Sequence, residues 1–324
     1  MNKPLFQIAR KSILIPSAQI FLDSGTRQTF GFISHAHSDH IAKHNRILCT
    51  DKTAQLLQIR MSKAQCLETP FFQGIDLNNA RVTLIPAGHI LGSAQILIET
   101  EGRSLIYTGD FRTKPSRTAE THEVRQADVL IMESTFGKPK YCFPPREEVE
   151  ALLLGTIKEK LEQEITPVLF AYSLGKGQEV LHFLGNSGLP VAVDYSILKY
   201  AKIYERFDIK FGIYELFKRS QFRGKVLLLP TSFRRNRIVE SIEKKYTIYL
   251  SGWGMDSKAR FRLGVDDVLP YSDHADFNEL IEYVTKVNPR EVYCTHGFDN
   301  FVSALRSRGF NAKPLFKPIQ LELF

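Results

Sequence analysis

The chain has 324 residues, of which 43% are hydrophobic and 24% are charged. These fractions are ordinary for folded proteins, so bulk disorder is excluded and a sizeable core in one large or two smaller domains is expected. The net charge of +8 is uneven, because residues 199–262 hold 16 Lys and Arg against 6 Asp and Glu; this predicts contact with a phosphate backbone or a merely solvated basic surface.

No apolar run is long enough to span a bilayer, and no apolar signal region follows the N-terminus. We therefore expect a cytoplasmic protein without a membrane partner. The cysteines are scattered and form no C-x-x-C pair, which predicts buried thiols and not a disulfide framework or a zinc knot. They are Cys49, Cys66, Cys142 and Cys294.

The first part of the chain predicts short β-strands, because apolar or alternating runs are bounded by turn residues. These strands are expected at 20–23, 29–34, 81–86, 94–99, 104–108 and 128–132. A helix is predicted at 147–164, after Pro144-Pro145, which also indicates a domain boundary. Its apolar positions fall on one helical stripe: Val149, Leu152, Leu153, Ile157 and Leu161.

Strands alternate with helices as far as about residue 267, which predicts a small α/β unit with a parallel sheet. The strands are expected at 167–171, 189–193 and 225–229, and the helices at 178–184 and 194–206. The end of the chain predicts a strand at 268–271, a helix at 278–287, a strand at 291–295 and a helix at 300–308.

A dense histidine cluster follows the apolar residues Phe32 and Ile33, where positions 35–40 read His-Ala-His-Ser-Asp-His. Three imidazoles and a carboxylate suit zinc, which accepts both nitrogen and oxygen ligands. Four adjacent ligands are too crowded for one tetrahedral ion, so two neighbouring ions are predicted. His89, Asp110 and His296 also follow predicted strands. Alone, each is more often a hydrogen-bonded loop residue, but together with the cluster they complete a two-metal set in which Asp110 bridges the ions.

These residues resemble the ordered motifs of the metallo-β-lactamase fold, which also include Asp23 within 21–25. Three further strings resemble the extra motifs of the β-CASP nucleases: Glu-Ser-Thr-Phe at 133–136, Ser-Asp-His-Ala-Asp at 272–276 and His-Gly at 296–297. Other strings look like the bacterial and archaeal ligase-associated DNA exonucleases, although RNA-processing β-CASP enzymes share most of them. They are 87–95, 133–137, 174–178 and 251–253.

The resemblance implies an α/β protein: a metallo-β-lactamase αββα sandwich with a short inserted α/β β-CASP cap domain. The sandwich is expected to comprise residues 1–140 and 268–324, and the cap residues 141–267. The family's Gly-rich run after the first cluster is replaced here by Ile-Ala-Lys-His at 41–44. We expect His44 to be a surface helix residue or an extra polar group near the metals.

The resemblance also implies a role for each site residue. A first zinc ion would be held by His35, His37 and His89. A second would be held by Asp39, His40 and His296. Asp110 would bridge the two ions, with manganese as the alternative metal. The catalytic residues would be Asp39, His274 as general acid and Glu133, which orients His274. Asp23 would be a structural buttress and not a ligand.

Two loops are candidates for holding substrate. Ser173 and Lys176 lie where a strand ends and a helix begins, so helix amides and the lysine charge are expected to cradle a phosphate. Ser251 and Trp253 follow another strand. Trp253 either stacks on a base or fills the core. An arginine-rich segment at 234–237 either binds the phosphate backbone of a nucleic acid or is a solvated helix start.

The function that this sequence predicts is a two-zinc phosphodiesterase that hydrolyses nucleic acid, because two ions generate a nucleophile and neutralise the charged transition state. The resemblance favours a DNA exonuclease in repair, with DNA preferred over RNA and a functional association with a DNA ligase. An RNA-processing β-CASP ribonuclease is the alternative. A small-molecule metallo-hydrolase is disfavoured, because such an enzyme needs neither the basic segment nor the pair of Glu133 and His274.

Overall fold

The computed structural model describes residues 4–9, 11–297 and 299–316, and the chain divides into two compact units. The first unit comprises the residues up to Pro139 together with those from His274 onward, and the second comprises Lys140–Asp273. The limits predicted for the inserted domain, 141 and 267, stay a prediction. In the described ranges, no helix has both the length and the apolar character needed to cross a membrane.

The first unit contains two sheets. One has six strands in chain order: β1 (Gln7–Ala9), β2 (Ser12–Ile15), β3 (Ile20–Leu22), β4 (Phe30–Phe32), β5 (Arg46–Cys49) and β6 (Cys66–Glu68). The other has seven strands, in the order β19 (Ala312–Pro314), β18 (Glu291–Gly297), β11 (Val129–Ser134), β10 (Arg103–Tyr107), β9 (Ala94–Thr100), β8 (Ala80–Pro86) and β7 (Gly74–Leu77).

One hydrophobic core joins the two sheets. Ile20 and Phe32 of the first sheet and Leu84, Ile96 and Leu105 of the second belong to it, and all five are buried. Three helices pack beside strands of this unit: α1 (Asp51–Gln58) beside β6, α7 (Phe277–Val287) beside β11, and α8 (Asp299–Arg306) beside β18 and β19. Two facing sheets with helices beside them confirm the predicted metallo-β-lactamase sandwich.

The second unit is built on a fully parallel sheet. Its strand order is β14 (Glu215–Leu216), β13 (Val191–Val193), β15 (Val226–Pro230), β12 (Thr166–Ala171), β16 (Lys245–Leu250) and β17 (Asp267–Leu269). All residues of β12 and β15 are buried, as expected of central parallel strands covered on both faces.

The helices of the second unit follow the predicted alternation with strands. They are α2 (Arg146–Glu162), α3 (Lys176–Gly185), α4 (Tyr195–Glu205), α5 (Arg237–Glu240) and α6 (Ala259–Leu263), with 3-10 helices at Thr231–Arg235 and Gly252–Met255. The predicted α/β cap architecture is confirmed.

Three local predictions are corrected by the structure. On α2, Leu152 is exposed, because the buried side follows the four-residue spacing of Val149, Leu153 and Ile157. His44 is not a surface helix residue: it lies in a loop, buried, and its Nδ1 accepts a hydrogen bond from the N–H of Gln28. Of the four free cysteines, two are buried as predicted, whereas Cys66 and Cys142 are only half-buried.

Candidate metal centre and active site

The predicted ligands meet because their strands end at one edge of the seven-stranded sheet. Strands β8, β10, β11 and β18 run in the same direction, so their carboxyl ends lie together. His89 lies after β8 and Asp110 after β10, while Glu133 and His296 belong to the last residues of β11 and β18. The loop at 35–40 follows β4 of the facing sheet.

Four side chains form the first group of candidate ligands. One ligand atom from each of His35, His37, His89 and Asp110 lies within 4.8 Å of the others. Asp110 Oδ2 is 3.7 Å from His35 Nε2 and 3.9 Å from His89 Nε2. His89 Nε2 is 3.2 Å from His37 Nδ1. The structure therefore brings together all the residues predicted for the first ion.

The second group lies on the other side of Asp110. His40 Nε2 is 3.3 Å from Asp110 Oδ2 and 3.8 Å from Asp39 Oδ2. The rings of His40 and His296 have their centroids 5.8 Å apart. Asp39 is 78% exposed, so it forms the solvent side of this group. One oxygen of Asp110 thus lies within 4 Å of imidazoles from both groups, which is the position expected of a bridging carboxylate.

A β-bulge directs His296 towards the second group. In the pairing of β11 with β18, Glu133 lies opposite Thr295 and Ser134 opposite Gly297, so His296 is the extra residue. His296 has φ +43°, a left-handed value that is costly for a residue with a side chain. Such bulges re-aim side chains next to functional sites. At Gly297, a Cβ would lie 2.2 Å from the carbonyl oxygen of Ser134, so this strand end requires glycine.

Asp23 holds His40, a member of the second group, in place. Its carboxylate accepts hydrogen bonds from the N–H of Ser34 at 2.8 Å, from the Ser34 hydroxyl at 2.6 Å and from Tyr107 Oη at 2.9 Å. It also lies 2.8 Å from His40 Nδ1. A ring held by its Nδ1 presents its Nε2 to Asp110, which is how outer carboxylates orient histidine ligands.

Burial, two carboxylates and the neighbouring imidazoles shift the pKa values of the cluster in opposite directions. Burial lowers the pKa of His35 well below its usual value, and the neighbouring imidazoles of His40 and His37 lower it further. Burial also lowers the pKa of His40, but the carboxylates of Asp110 and Asp23 outweigh it and the net pKa lies well above normal. Burial raises the pKa of Asp110, but His40 outweighs it and holds the net pKa well below normal.

The donor chemistry of the first group also fits zinc. His35 is fully buried, and its Nε2 makes no hydrogen bond to any described residue. A buried, neutral imidazole without a hydrogen-bond partner is costly unless something else satisfies its lone pair. Neutral imidazoles next to an ionised carboxylate are the ligand forms that zinc requires. The residues therefore fit a metal centre.

His274 lies beside the first group and is held by Glu133. Its Nδ1 is 2.9 Å from Glu133 Oε1, and its ring centroid is 4.6 Å from that of His89. Glu133 is buried and also accepts hydrogen bonds from the N–H of Phe111 and the hydroxyl of Thr135. His274 lies two residues before Asp276, the N-cap of α7, and the start of this helix is fixed by a reciprocal capping box between Asp276 and Glu279.

Comparison with known proteins places this arrangement in a family. A family model described as the Zn-dependent metallo-hydrolase RNA specificity domain matches residues 258–313. The chain is 41% identical over 315 residues to a probable DNA ligase of Opitutus terrae, a match that covers 96% of this chain and 31% of that protein. It is 31% identical over 207 residues to the RNase J-like protein of Methanocaldococcus jannaschii, covering 53% of this chain and 48% of that protein.

A third relative is the 5′ exonuclease Apollo of Gallus gallus, which is 26% identical over 298 residues, covering 86% of this chain and 62% of that protein. The chain belongs to the β-CASP group of the metallo-β-lactamase fold. It spans less than two thirds of the length of each of these three relatives.

The substrate residues predicted in the second unit of this β-CASP protein have local partners. Lys176 is buried, and its ammonium lies 3.0 Å from Asp273 Oδ1, so its charge is already compensated. Ser173 Oγ donates to Ser196 Oγ at 3.4 Å. Ser251 is buried and caps the N–H of Trp253, whose ring packs edge-on against Tyr141 at 5.3 Å. Their contact with substrate stays a prediction.

Sequence reasoning missed the polar groups that hold the candidate ligands in place. Ser93 Oγ accepts from the N–H groups of His89 and Ile90 and so fixes the loop that carries His89. Tyr107 ends an apolar strand, where a single tyrosine gives no sign that it bonds Asp23. For Ser93, the sequence did offer a turn signal in the adjacent Gly92, which the structure places at φ +74°.

Proposed function

We propose that this β-CASP protein is a two-zinc phosphodiesterase that hydrolyses nucleic acid. The observation that carries the proposal is the position of Asp110, with one carboxylate oxygen within 4 Å of His35, His89 and His40. A carboxylate shared by two groups of imidazoles suits two neighbouring cations better than one.

Each ion would have its own set of side chains. The first would be held by His35, His37, His89 and Asp110. The second would be held by Asp39, His40, His296 and Asp110. When bound, the two ions supply Lewis-acid stabilisation of the phosphoryl group and activate water as the nucleophile.

His274 acts as the general acid for the leaving oxygen. Its Nδ1 is held by Glu133, so its Nε2 is the nitrogen that faces the substrate and donates the proton. The buried carboxylate of Glu133 stabilises the imidazolium and fixes the tautomer. Asp39, the most exposed of the acidic ligands, would complete the catalytic group on the solvent side.

The proposed substrate is DNA, degraded from an end during repair. Support comes from three relatives whose names refer to a DNA ligase, to a 5′ exonuclease and, for a protein of Arabidopsis thaliana, to DNA cross-link repair. The similarity to a segment of a probable DNA ligase also supports a functional association between this chain and a ligase. RNA is the second candidate, favoured by the RNA specificity domain model at residues 258–313 and by the RNase J-like relative.

End-labelled single-stranded DNA and RNA of one sequence, incubated with the zinc-loaded chain, test the proposal. We expect a mononucleotide ladder from DNA that a chelator abolishes. If RNA is cleaved faster than DNA, RNA is the substrate. If internal fragments appear, the chain acts as an endonuclease and not as an exonuclease. Hydrolysis of a chromogenic lactam without hydrolysis of bis-p-nitrophenyl phosphate would indicate a small-molecule hydrolase and refute the proposal.

Two variants separate metal binding from proton transfer. His37→Ala is expected to abolish cleavage and to lower the zinc content, because it removes a proposed ligand. His274→Ala is expected to abolish cleavage while the zinc content is retained. Full activity in His274→Ala would remove this residue from the mechanism.

A further inference from the structure

Two exposed tyrosines share one edge of the parallel sheet in the second unit. Tyr172 directly follows β12 and is 53% exposed, and Tyr195 follows β13 at the start of α4 and is 66% exposed. Strands β12 and β13 are parallel with β15 between them, so their carboxyl ends lie at the same edge, about 9.5 Å apart. The hydrogen bond between Ser173 and Ser196 joins the two loops.

The exposure of these rings is not explained by a lack of space in the core. Three other tyrosines of the same unit, Tyr200, Tyr204 and Tyr271, are at most 2% exposed. Burying an aromatic ring is favourable, so two rings that leave more than half of their surface in water are suited to contact a ligand. The carboxyl edge of a parallel sheet is also where ligands bind in open α/β folds.

The charge of this edge favours an anionic ligand. The 3-10 helix Thr231–Arg235 follows β15, the strand between the two tyrosine-bearing strands, and both Arg235 and Arg237 are exposed. Lys199 lies one helical turn after Tyr195. The nearby carboxylate of Asp194 is occupied as the cap of α4, accepting from the N–H of Ser196 at 2.8 Å.

We propose that this edge binds single-stranded nucleic acid, with bases stacked on Tyr172 and Tyr195 and phosphates held by Arg235 and Arg237. Every base has a flat face that stacks on an aromatic ring, and a cationic surface beside the rings accommodates the backbone. Bases that are paired in a duplex stay stacked on their neighbouring bases, so a duplex cannot place a base on each of the two tyrosine rings. The inference rests on the proposed action on nucleic acid and adds the strand state of the substrate and the residues that select it.

Binding of a fluorescein-labelled, phosphorothioate-linked DNA strand by the zinc-loaded full chain tests the inference by anisotropy. An abasic strand of equal length provides the comparison, because it keeps the phosphates and lacks the bases. Tyr172→Ala and Tyr195→Ala are each expected to weaken binding of the normal strand about tenfold and to leave abasic binding unchanged. Arg235→Ala is expected to weaken binding of both strands, because phosphate contacts do not depend on bases.

Three matched variants control for unspecific effects. Tyr172→Phe and Tyr195→Phe keep the ring and are expected to bind like the wild type. Leu152→Ala removes an apolar side chain of similar exposure, 58%, from α2 and is expected to change nothing. Wild-type affinity of both tyrosine-to-alanine variants for the normal strand, or an equal loss for normal and abasic strands, would overturn the stacking proposal.

Hydrolysis of bis-p-nitrophenyl phosphate separates this inference from the proposed function. The small diester needs the metal chemistry but no stacked bases, so both tyrosine-to-alanine variants should hydrolyse it at the wild-type rate. If the wild type hydrolyses the diester and the tyrosines do not affect strand binding, only the stacking proposal fails. If the tyrosines affect strand binding and the wild type never hydrolyses the diester, only the proposed hydrolytic function fails.

Discussion

Nδ1 of His274 lies 2.9 Å from Oε1 of Glu133, although the two residues are 141 positions apart in the chain. The contact joins the end of β11 to the residues that precede α7. Since Phe111 and Thr135 also donate to the same carboxylate, Glu133 is fixed before it meets the imidazole. Glu133 therefore holds Nδ1 of His274, and Nε2 is the nitrogen that we propose donates the proton.

Glu133→Gln keeps the shape of the side chain but removes the charge that stabilises the imidazolium. We expect kcat for single-stranded DNA to fall roughly 100- to 1,000-fold, with the zinc content unchanged. The rate for bis-p-nitrophenyl phosphate should fall much less, because its leaving group needs little protonation. Steady-state kinetics on both substrates measure the difference. Equal losses on the two would argue against proton transfer through His274.

Asp23→Asn tests the support of the second group. The substitution weakens the contact with His40 Nδ1, and loss of such an outer carboxylate lowers metal affinity about 10- to 100-fold. Competition with a fluorescent zinc chelator measures the dissociation constant. Tyr107→Phe removes only one donor to the same carboxylate and should have a smaller effect. Unchanged zinc affinity in Asp23→Asn would mean that Asp23 does not orient a ligand.

Gly297→Ala tests the bulge that places His296. Its Cβ would lie 2.2 Å from the Ser134 carbonyl oxygen, so the strand end must shift. We expect the free energy of unfolding in urea to fall by about 1–3 kcal/mol and zinc binding to weaken. Gly155→Ala is the matched control, because it lies in α2 with no atom near the added methyl group, and it should stabilise by about 0.5–1 kcal/mol. If Gly297→Ala is as stable as the wild type and keeps its zinc, the bulge is not what places His296.

We expect His122 to make the stability of the protein depend on pH. Burial, and then the charge of Lys286, lower its pKa from 6.5 to about 4, and its ring packs beside those of Phe111 and Tyr283. Above pH 6.5 the histidine is neutral in both states; as the pH falls from 6.5 to 4 the unfolded chain binds the proton first, and the free energy of unfolding drops by up to about 3 kcal/mol.

His122→Phe keeps a ring in that place and cannot titrate, so the variant should lose less stability than the wild type over this range. Urea unfolding of both proteins at pH 7, 5.5 and 4.5 measures the difference. Parallel pH profiles for the two proteins would show that His122 is not the group responsible.

Residues at strand ends were predictable from the sequence because the strands that carry them are apolar and bounded by turn residues. His89 and Asp110 follow such strands, and parallel direction alone brings their loops together. The bulge at His296 was not predictable, since register depends on the partner strand. The same applies to the bond between Tyr107 and Asp23, which are 84 positions apart.

The short elements escaped prediction for a different reason. Strands of two or three residues, such as β14 and β6, are too short to show a period in the sequence. Helix α1 did carry a signal: Thr50 caps it by accepting from the N–H of Thr53, and Asp51 stands in the first turn. The role expected of Lys176 rested on its place at a helix start, whereas its partner Asp273 is distant in sequence.

Titration of the metal-free protein with zinc, while nucleotide release from labelled single-stranded DNA is followed, distinguishes a two-metal site from a one-metal site. Two ions sharing Asp110 predict little cleavage at one equivalent and a maximum reached at two. No cleavage at any zinc concentration, or a maximum already reached with one ion per chain, would contradict a two-metal phosphodiesterase.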